Sequence, residues 1–538
     1  MSLLSRIDEW ARQTPHRVAH SSSAGVLTWG ELARRSDALA GALSDLTPGS
    51  PVVLRGHKEP EMLVGFLGCA KAAHPYIPVD IGVPEARAQR VVEVSGAELV
   101  LTPQDVREME SRGRRAPAPT GDANTPHYVI FTSGSTGDPK GVVITRGCLD
   151  AFLRWMLDEQ RFAHAGETFL NQALFSFDLS VMDTWCSLAT GSTIFSLTTA
   201  EIEDFRRLFV TLAGAPLTTW VSTPTFAQLC LAERRFNEAM LPQVRRFLFC
   251  GDVLTPEVAE QLLTRFPRAE VWNTYGPTEA TCATTSIRID HELLRRYPQL
   301  PIGRAMPGTK VTVEGDGGEP VPDGDRGEII ISGPNVSPGY LGRPDLTERA
   351  FSVRDGVRTY RTGDWGSVRD GLLFFHGRRD DQVKIAGHRI EPGDVEVHLA
   401  SLPRVRQAAV VPAYRDGRID SLHAFVVLSG DAGVSADPST SLGMTAGADP
   451  STSRGMTAGA DPSTSRGMTA GADPSTSLGM TARTSALEIG ASIRKELAAQ
   501  IPTYMLPRKV HVLEQLPLTP NGKTDRRALA ARVQAPSA

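Results

Sequence analysis

Phe131-Thr-Ser-Gly-Ser-Thr-Gly-Asp-Pro-Lys-Gly141 follows directly on the apolar run His127-Tyr-Val-Ile-Phe131. The run predicts a buried strand. The glycines after it let the chain turn so that backbone N–H groups and flanking hydroxyls converge on an anion. Lys140 adds positive charge, and Pro139 stiffens the exit. By composition this is a phosphate cradle, although neither G-x-x-x-x-G-K-[ST] nor G-x-G-x-x-G can be placed on it. A flexible Ser/Gly loop with no ligand would have the same composition, so the loop alone leaves both readings open.

Outward from the loop, helical patterns alternate with short β-branched runs. Leu3, Leu4, Ile7, Trp10 and Ala11 have helical spacing, and Pro15 closes that helix. Pro51-Val-Val-Leu54, Ala97–Leu101, Thr218–Ser222 and Arg246–Cys250 read as strands. Strands alternating with helices predict an α/β fold with largely parallel sheets. From about Pro307 the texture changes to short runs between Gly, Pro and Asp turns, including Thr309–Glu314, Gly327–Ser332 and Gly371–Phe375, which predicts a small β-rich unit. The expected organisation is an N-terminal core over 1–379, with its β-rich subdomain about 307–379, and a small α+β C-terminal domain over 380–538.

A twelve-residue unit, Ala436-Asp-Pro-Ser-Thr-Ser-Leu-Gly-Met-Thr-Ala-Gly447, recurs from Ala448, Ala460 and, in part, Ala472. It carries too few apolar side chains to offset the entropy of ordering. Residues 431–484 are therefore expected to be a disordered insertion in a surface loop, tolerated because closure entropy grows only logarithmically with length.

The 538-residue chain is 41% hydrophobic and 22% charged, with a formal net charge of −4. These values suit a globular protein of two to four packed units and supply no electrostatic case for a nucleic-acid partner. The six cysteines are widely separated, with no C-x-x-C pair, which argues against a zinc or redox motif. No signal-peptide h-region opens the chain, and no apolar run reaches the ~18 residues that a membrane span needs. A cytoplasmic monomer without membrane insertion is expected.

Five further motifs stand in order: Asn273-Thr-Tyr-Gly-Pro-Thr-Glu-Ala280, Gly339-Tyr-Leu-Gly342, Tyr360-Arg-Thr-Gly-Asp364, Gly377-Arg-x-Asp-x-Gln-Val-Lys384 and Pro520-Asn-Gly-Lys523. With the 131–141 loop they resemble the adenylate-forming superfamily, over nearly the whole chain except the repeat. The resemblance implies ATP and Mg²⁺ as cofactors and attack of a carboxylate on the α-phosphate. Such chemistry is mainly positioning and charge neutralisation. It implies that Thr132, Ser133, Ser135, Thr136 and Lys140 hold the β- and γ-phosphates, and that Asn273, Thr274, Tyr275, Gly276, Pro277 and Thr278 form the adenine and α-phosphate wall. Asp364, Phe375, His376, Gly377 and Arg378 would surround the ribose, and Glu279 would help hold the metal. Lys523 would be the catalytic lysine, donating to the substrate carboxylate and the α-phosphate. Asp380 would be the hinge about which the C-terminal domain rotates between half-reactions.

Phe175-Ser-Phe-Asp-Leu-Ser180 bears on the acid. In amino-acid-activating members an aspartate at the place of Asp178 pairs with the substrate ammonium; an aspartate before a helix is also what an N-cap requires. Asn171–Asp183, Phe247–Gly251 and Phe66–Asp80 resemble the branch that ligates D-alanine to a carrier protein for teichoic acid decoration. Leu179, Met182 and Cys250 would narrow the pocket to a small side chain. Two positions depart from that branch: Cys282 stands where a valine is usual, and Phe375-His376 replaces Tyr-Asn. The implied partners are a small amino acid, D-alanine foremost, and a separate phosphopantetheinylated carrier protein. The alternatives are a stand-alone adenylation enzyme of the nonribosomal-peptide type for another small amino acid, and a non-catalytic nucleotide-binding protein on the same fold.

Overall fold

A computed structural model of the chain describes residues 2–112, 121–133, 138–162, 166–378, 382–385, 387–415, 418–429, 474–518 and 524–534. The fold is α/β. One sheet has six strands, with Leu99–Leu101, Val52–Gly56, Tyr76–Asp80 and Pro126–Thr132 parallel, and Lys140–Thr145 and Gly339–Tyr340 antiparallel at one edge. A second has nine strands, with a parallel centre that includes Thr168–Asn171, Thr219–Ser222, Arg246–Phe249 and Glu270–Tyr275. The expected first helix is present as Leu3–Gln13, capped by Ser2.

Pro60–Lys71 and Leu179–Thr190 are buried along their whole lengths. A helix apolar on all sides must be covered on all sides. Residues of these two helices share one core with side chains from both sheets, among them Leu54, Tyr128 and Leu248. The indole N–H of Trp185 donates to the Tyr76 hydroxyl at 3.0 Å, tying the second helix to the six-stranded sheet. All six cysteines are free and buried.

The third sheet is antiparallel and five-stranded: Lys310–Glu314, Gly327–Ser332, Phe351–Arg354, Val357–Arg369 and Leu372–Arg378. Gly339–Tyr340 lies within its sequence range but crosses to pair with Val142 and Val143. That crossing brings the Tyr340 ring to Lys140, whose Nζ lies 5.3 Å from the ring centroid.

The C-terminal part opens with the hairpin Val383–Ile385/His388–Ile390 and the helix Pro392–Ala400. It continues with the antiparallel strands Val405–Arg415 and Arg418–Leu428, and with Lys509–Leu513 parallel to the latter. The helix Pro474–Leu497 makes the crossover between those parallel strands. The helical backbone of that crossover begins at Pro474, within the 431–484 expected as an insertion, and Ile489, Ile493 and Leu497 of the same helix pack into the core of the C-terminal part. The remainder of that insertion, 431–473, lies outside the described residues. Among the described residues no helix is long and apolar enough to cross a membrane.

Candidate active site

Glu270–Tyr275 ends where three strands of the nine-stranded sheet also end, and Gly276-Pro277 turns the chain into a single 3-10 turn, Thr278–Ala280. A Cβ on Gly276 would lie 2.6 Å from Ala283 Cα and 2.9 Å from the Cys282 carbonyl, so only glycine fits this close backbone approach. Thr281 and Cys282 follow with φ of 56° and 68°, a left-handed pair unfavourable for side-chain-bearing residues. The turn is held by Asn335, whose Nδ2 donates to the Ala280 carbonyl at 2.9 Å and whose own carbonyl accepts from Thr281 Oγ1 at 2.7 Å. The strained turn aims the Cys282 carbonyl at the Cys250 thiol, 3.4 Å away.

Asp178 stands at the N-terminus of Leu179–Thr190, yet its side chain makes no capping hydrogen bond. Its carboxylate is turned inward, 8% exposed, and accepts from Thr278 Oγ1 at 2.6 Å. Burial raises its pKa against the opposing pull of Thr278, Lys384 and Arg389. The capping explanation for this aspartate therefore fails, and a buried carboxylate with one donor is left facing the Thr278 turn. Leu179, Met182, Cys250 and Cys282 belong to the same apolar core.

Glu279 is fully buried. Burial alone would raise its pKa, but the charges of Arg389 and Lys140 and the Tyr340 hydroxyl bring it down to about 2. Arg389 donates to its two oxygens at 3.0 and 2.7 Å, and Tyr340 donates at 2.7 Å. Lys140 Nζ lies 3.3 Å from Glu391, and burial depresses its pKa. Ser133 Oγ donates to the Arg389 carbonyl at 2.9 Å and accepts from the Glu391 N–H at 3.1 Å. Arg389 and Glu391 thus engage Ser133, Lys140 and Glu279.

A second cluster lies on the β-rich sheet. Asp364, 1% exposed, accepts from the Tyr275 hydroxyl at 2.5 Å and from Arg378 at 2.7 Å. The Phe375 ring is 6.0 Å from that of Tyr275, and Lys384 Nζ lies 5.8 Å from the Tyr275 centroid. The aromatic faces and the paired carboxylate suit a nucleoside. His376 Nε2 lies 2.7 Å from Ser367 Oγ on the neighbouring strand. The side chains of Asn273 and Thr274 are spent on the carbonyls of Pro301 and Phe249, both at 2.8 Å. Ser135, Thr136, Asp380 and Lys523 lie outside the described residues.

A cavity of about 220 Å³ opens between the two parts of the chain, walled by Asp80, Gln172, Phe177, Thr223, His388 and Tyr504. His388 stacks on Tyr504 at 3.9 Å and lies 5.3 Å from Phe177. Sequence reasoning missed Arg389, Glu391 and Asn335. Charged residues alternating along a short hairpin look like a solvated face, and only the packing of that hairpin against Glu279 gives them meaning.

The Tyr275–Phe375–Asp364 cluster and the buried Asp178 on the Thr278 turn form an arrangement that suits an adenylate-forming enzyme. The family described as AMP-binding enzyme matches residues 7–341, and the chain belongs to it. Its relatives include the D-alanine–D-alanyl carrier protein ligases of Bacillus cereus (strain B4264) and Bacillus anthracis (strain A0248). Each is 40% identical to this chain and covers 99% of it and 100% of its own length. Similar solved structures include the adenylation domain AlmE of Vibrio cholerae in complex with glycyl-adenosine-5'-phosphate (TM-score 0.76, 21% identity, 99% of this chain and 97% of that one). Another is the artificially fused adenylation–PCP di-domain NpsA-ThdA from Klebsiella oxytoca (TM-score 0.74, 20% identity, 95% of this chain and 86% of that one). At those identities the likeness is one of fold.

Proposed function

We propose that this chain activates D-alanine with ATP and transfers it to the phosphopantetheine thiol of a separate carrier protein, the loading step of teichoic acid D-alanylation. In the first half-reaction the amino-acid carboxylate attacks the α-phosphate; an O–P bond forms, the α–β bridge breaks and pyrophosphate leaves. In the second, the carrier thiol attacks the acyl carbon; a C–S bond forms and AMP leaves. The observation that carries the reading is Asp178, a buried carboxylate freed from capping duty that accepts from Thr278, next in sequence to Leu179 of the apolar core that also holds Cys250 and Cys282. Relatives of that name at 40% identity over the full chain support the same substrate pair.

In this reading Asp178 receives the ammonium, and Leu179, Met182, Cys250 and Cys282 limit the side chain. Tyr275 and Phe375 face adenine, while Asp364 and Arg378 hold the ribose. Ser133 and Lys140, with Thr132, Ser135 and Thr136, hold the leaving phosphates. Lys523 bridges the carboxylate and the α-phosphate. Glu279, ionised and oxygen-bearing, suits Mg²⁺, which neutralises phosphate charge when bound. The division at 379/380 with Asp380 as hinge belongs to the same proposal, as does action as a monomer in the cytoplasm. The arrangement described here, with Arg389 on Glu279 and Glu391 beside Lys140, suits the second half-reaction, after pyrophosphate has gone. The cavity walled by His388 and Phe177 is the corresponding entry for the pantetheine arm.

The test is ATP–pyrophosphate exchange over a panel of D- and L-amino acids, with Asp178→Asn beside the parent. D-Alanine should be preferred, and Asp178→Asn should raise its KM at least roughly tenfold, as loss of a buried charge-assisted contact does. Preference for a different small amino acid would move the chain to the nonribosomal-peptide type. An unchanged KM in Asp178→Asn would remove the ammonium site.

A further inference from the structure

Lys58 is fully buried and is used by none of the chemistry above. It follows the strand Val52–Gly56, and its ammonium reaches the segment that leads to Asp178. It donates to Asn171 Oδ1 at 2.6 Å and to the Ala173 carbonyl, and it sits 4.4 Å from the centroid of the Phe175 ring. One side chain thus grips three residues of a single loop.

The Asn171 amide has only one workable orientation. Its Oδ1 also accepts from Ser196 Oγ at 2.8 Å, and its Nδ2 donates to Asp183 Oδ1 at 2.8 Å. Asp183 stands on the helix Leu179–Thr190, takes a second bond from Thr184 Oγ1 at 3.1 Å, and is fully buried. Lys58 and Asp183 are therefore opposite charges on either side of one amide. Between them they fasten both ends of the stretch 171–183, which has Asp178 near its middle and Leu179 and Met182 on its helical half. His20 closes the network with Nε2 3.0 Å from Ser196 Oγ; burial and the Lys58 charge bring its pKa down to about 3, so it adds no second cation.

A buried lysine is costly, since water is lost on every side. Burial pulls Lys58 down and pushes Asp183 up, and the charge of each opposes the shift of the other. Methionine would fill the same space without that cost. Charges kept at such a cost fix geometry, because hydrogen bonds are directional and apolar packing is not.

We propose that Lys58 is a positioning residue for the amino-acid site: through Asn171, Ala173 and Asp183 it sets where the Asp178 carboxylate stands, without touching substrate. The inference rests on Asp178 receiving the ammonium. Lys58→Met should raise the KM for D-alanine in ATP–pyrophosphate exchange by roughly tenfold, while the KM for ATP and kcat stay within about twofold, as loss of uniform binding of one substrate does. The single variant leaves Asp183 without its countercharge and unfolds at a lower temperature. Lys58→Met/Asp183→Asn removes both charges and should recover the melting temperature while keeping the raised D-alanine KM, and it carries the test if the single variant does not fold. A double variant with the parent KM, or an equal rise in the KM for ATP, would overturn the proposal. Asp178→Asn run alongside separates the two failures. If it leaves the D-alanine KM unchanged, the ammonium reading falls. If it raises that KM and the Lys58 variants do not, only the role of Lys58 falls.

Discussion

Replacing Arg389 with methionine should separate the two half-reactions. The guanidinium makes two contacts with Glu279, at 3.0 and 2.7 Å; Glu279 is fully buried and the Arg389 side chain is 11% exposed. Removing one member of such a pair costs about 3–5 kcal/mol. The lower end applies here, because Glu279 keeps the Tyr340 hydroxyl and the Lys140 charge. About 3 kcal/mol is roughly a 150-fold shift away from the arrangement in which residues 389–391 lie on the phosphate loop. The links of Ser133 to 389 and 391, of Lys140 to Glu391 and of Arg87 to Asp394 (3.2 Å) remain, so the hairpin is weakened and not freed. Transfer of labelled D-alanine to the carrier thiol should fall by roughly ten- to 150-fold, the upper limit being the whole shift. ATP–pyrophosphate exchange, which on the proposed reading needs Glu279 and Lys140 released from these partners, should stay within about twofold of the parent. Equal loss of both activities would refute the reasoning, and so would transfer that is unaffected.

Gly276→Ala places a methyl group 2.6 Å from backbone at Ala283, where no rotamer change can relieve it. It should cost about 1–3 kcal/mol and lower the melting temperature measured by calorimetry, and a parent-like melting temperature would contradict the close approach. Burial raises Asp178 above its ordinary value of 3.8, and on the proposed reading the substrate ammonium needs the ionised form. In exchange assays kcat/KM for D-alanine should be present above that raised pKa and lost as pH falls through it. Stability runs the other way. A raised native pKa favours folding below the unfolded value, and that contribution disappears as pH rises through the native one. A kcat/KM profile for D-alanine flat down to 3.8 would contradict the burial of this carboxylate.

The adenylate-forming class was legible in the sequence because its motifs are short and contiguous. The loop after Phe131, the Gly276-Pro277 segment and the Tyr-x-x-x-Asp spacing at 360–364 are each read as a few neighbouring residues that resemble known motifs. The alternation of strand and helix was legible for the same reason, since burial on a regular element repeats with its period. Asp178 was visible, but its two readings, cap and ligand, differ only in where the carboxylate points; the bond from Thr278, a hundred residues away, takes the carboxylate away from the cap. Arg389, Glu391 and Lys58 carried no local mark. A lone lysine after a strand and two charges on a hairpin are ordinary surface patterns. Only the tertiary structure puts Lys58 out of water against Asn171 and sets Arg389 on Glu279. The sequence by itself determined the class of reaction through short contiguous motifs whose order resembles a known family. The long-range pairing of charges, which depends on which surfaces are buried against each other, was decided by the fold alone.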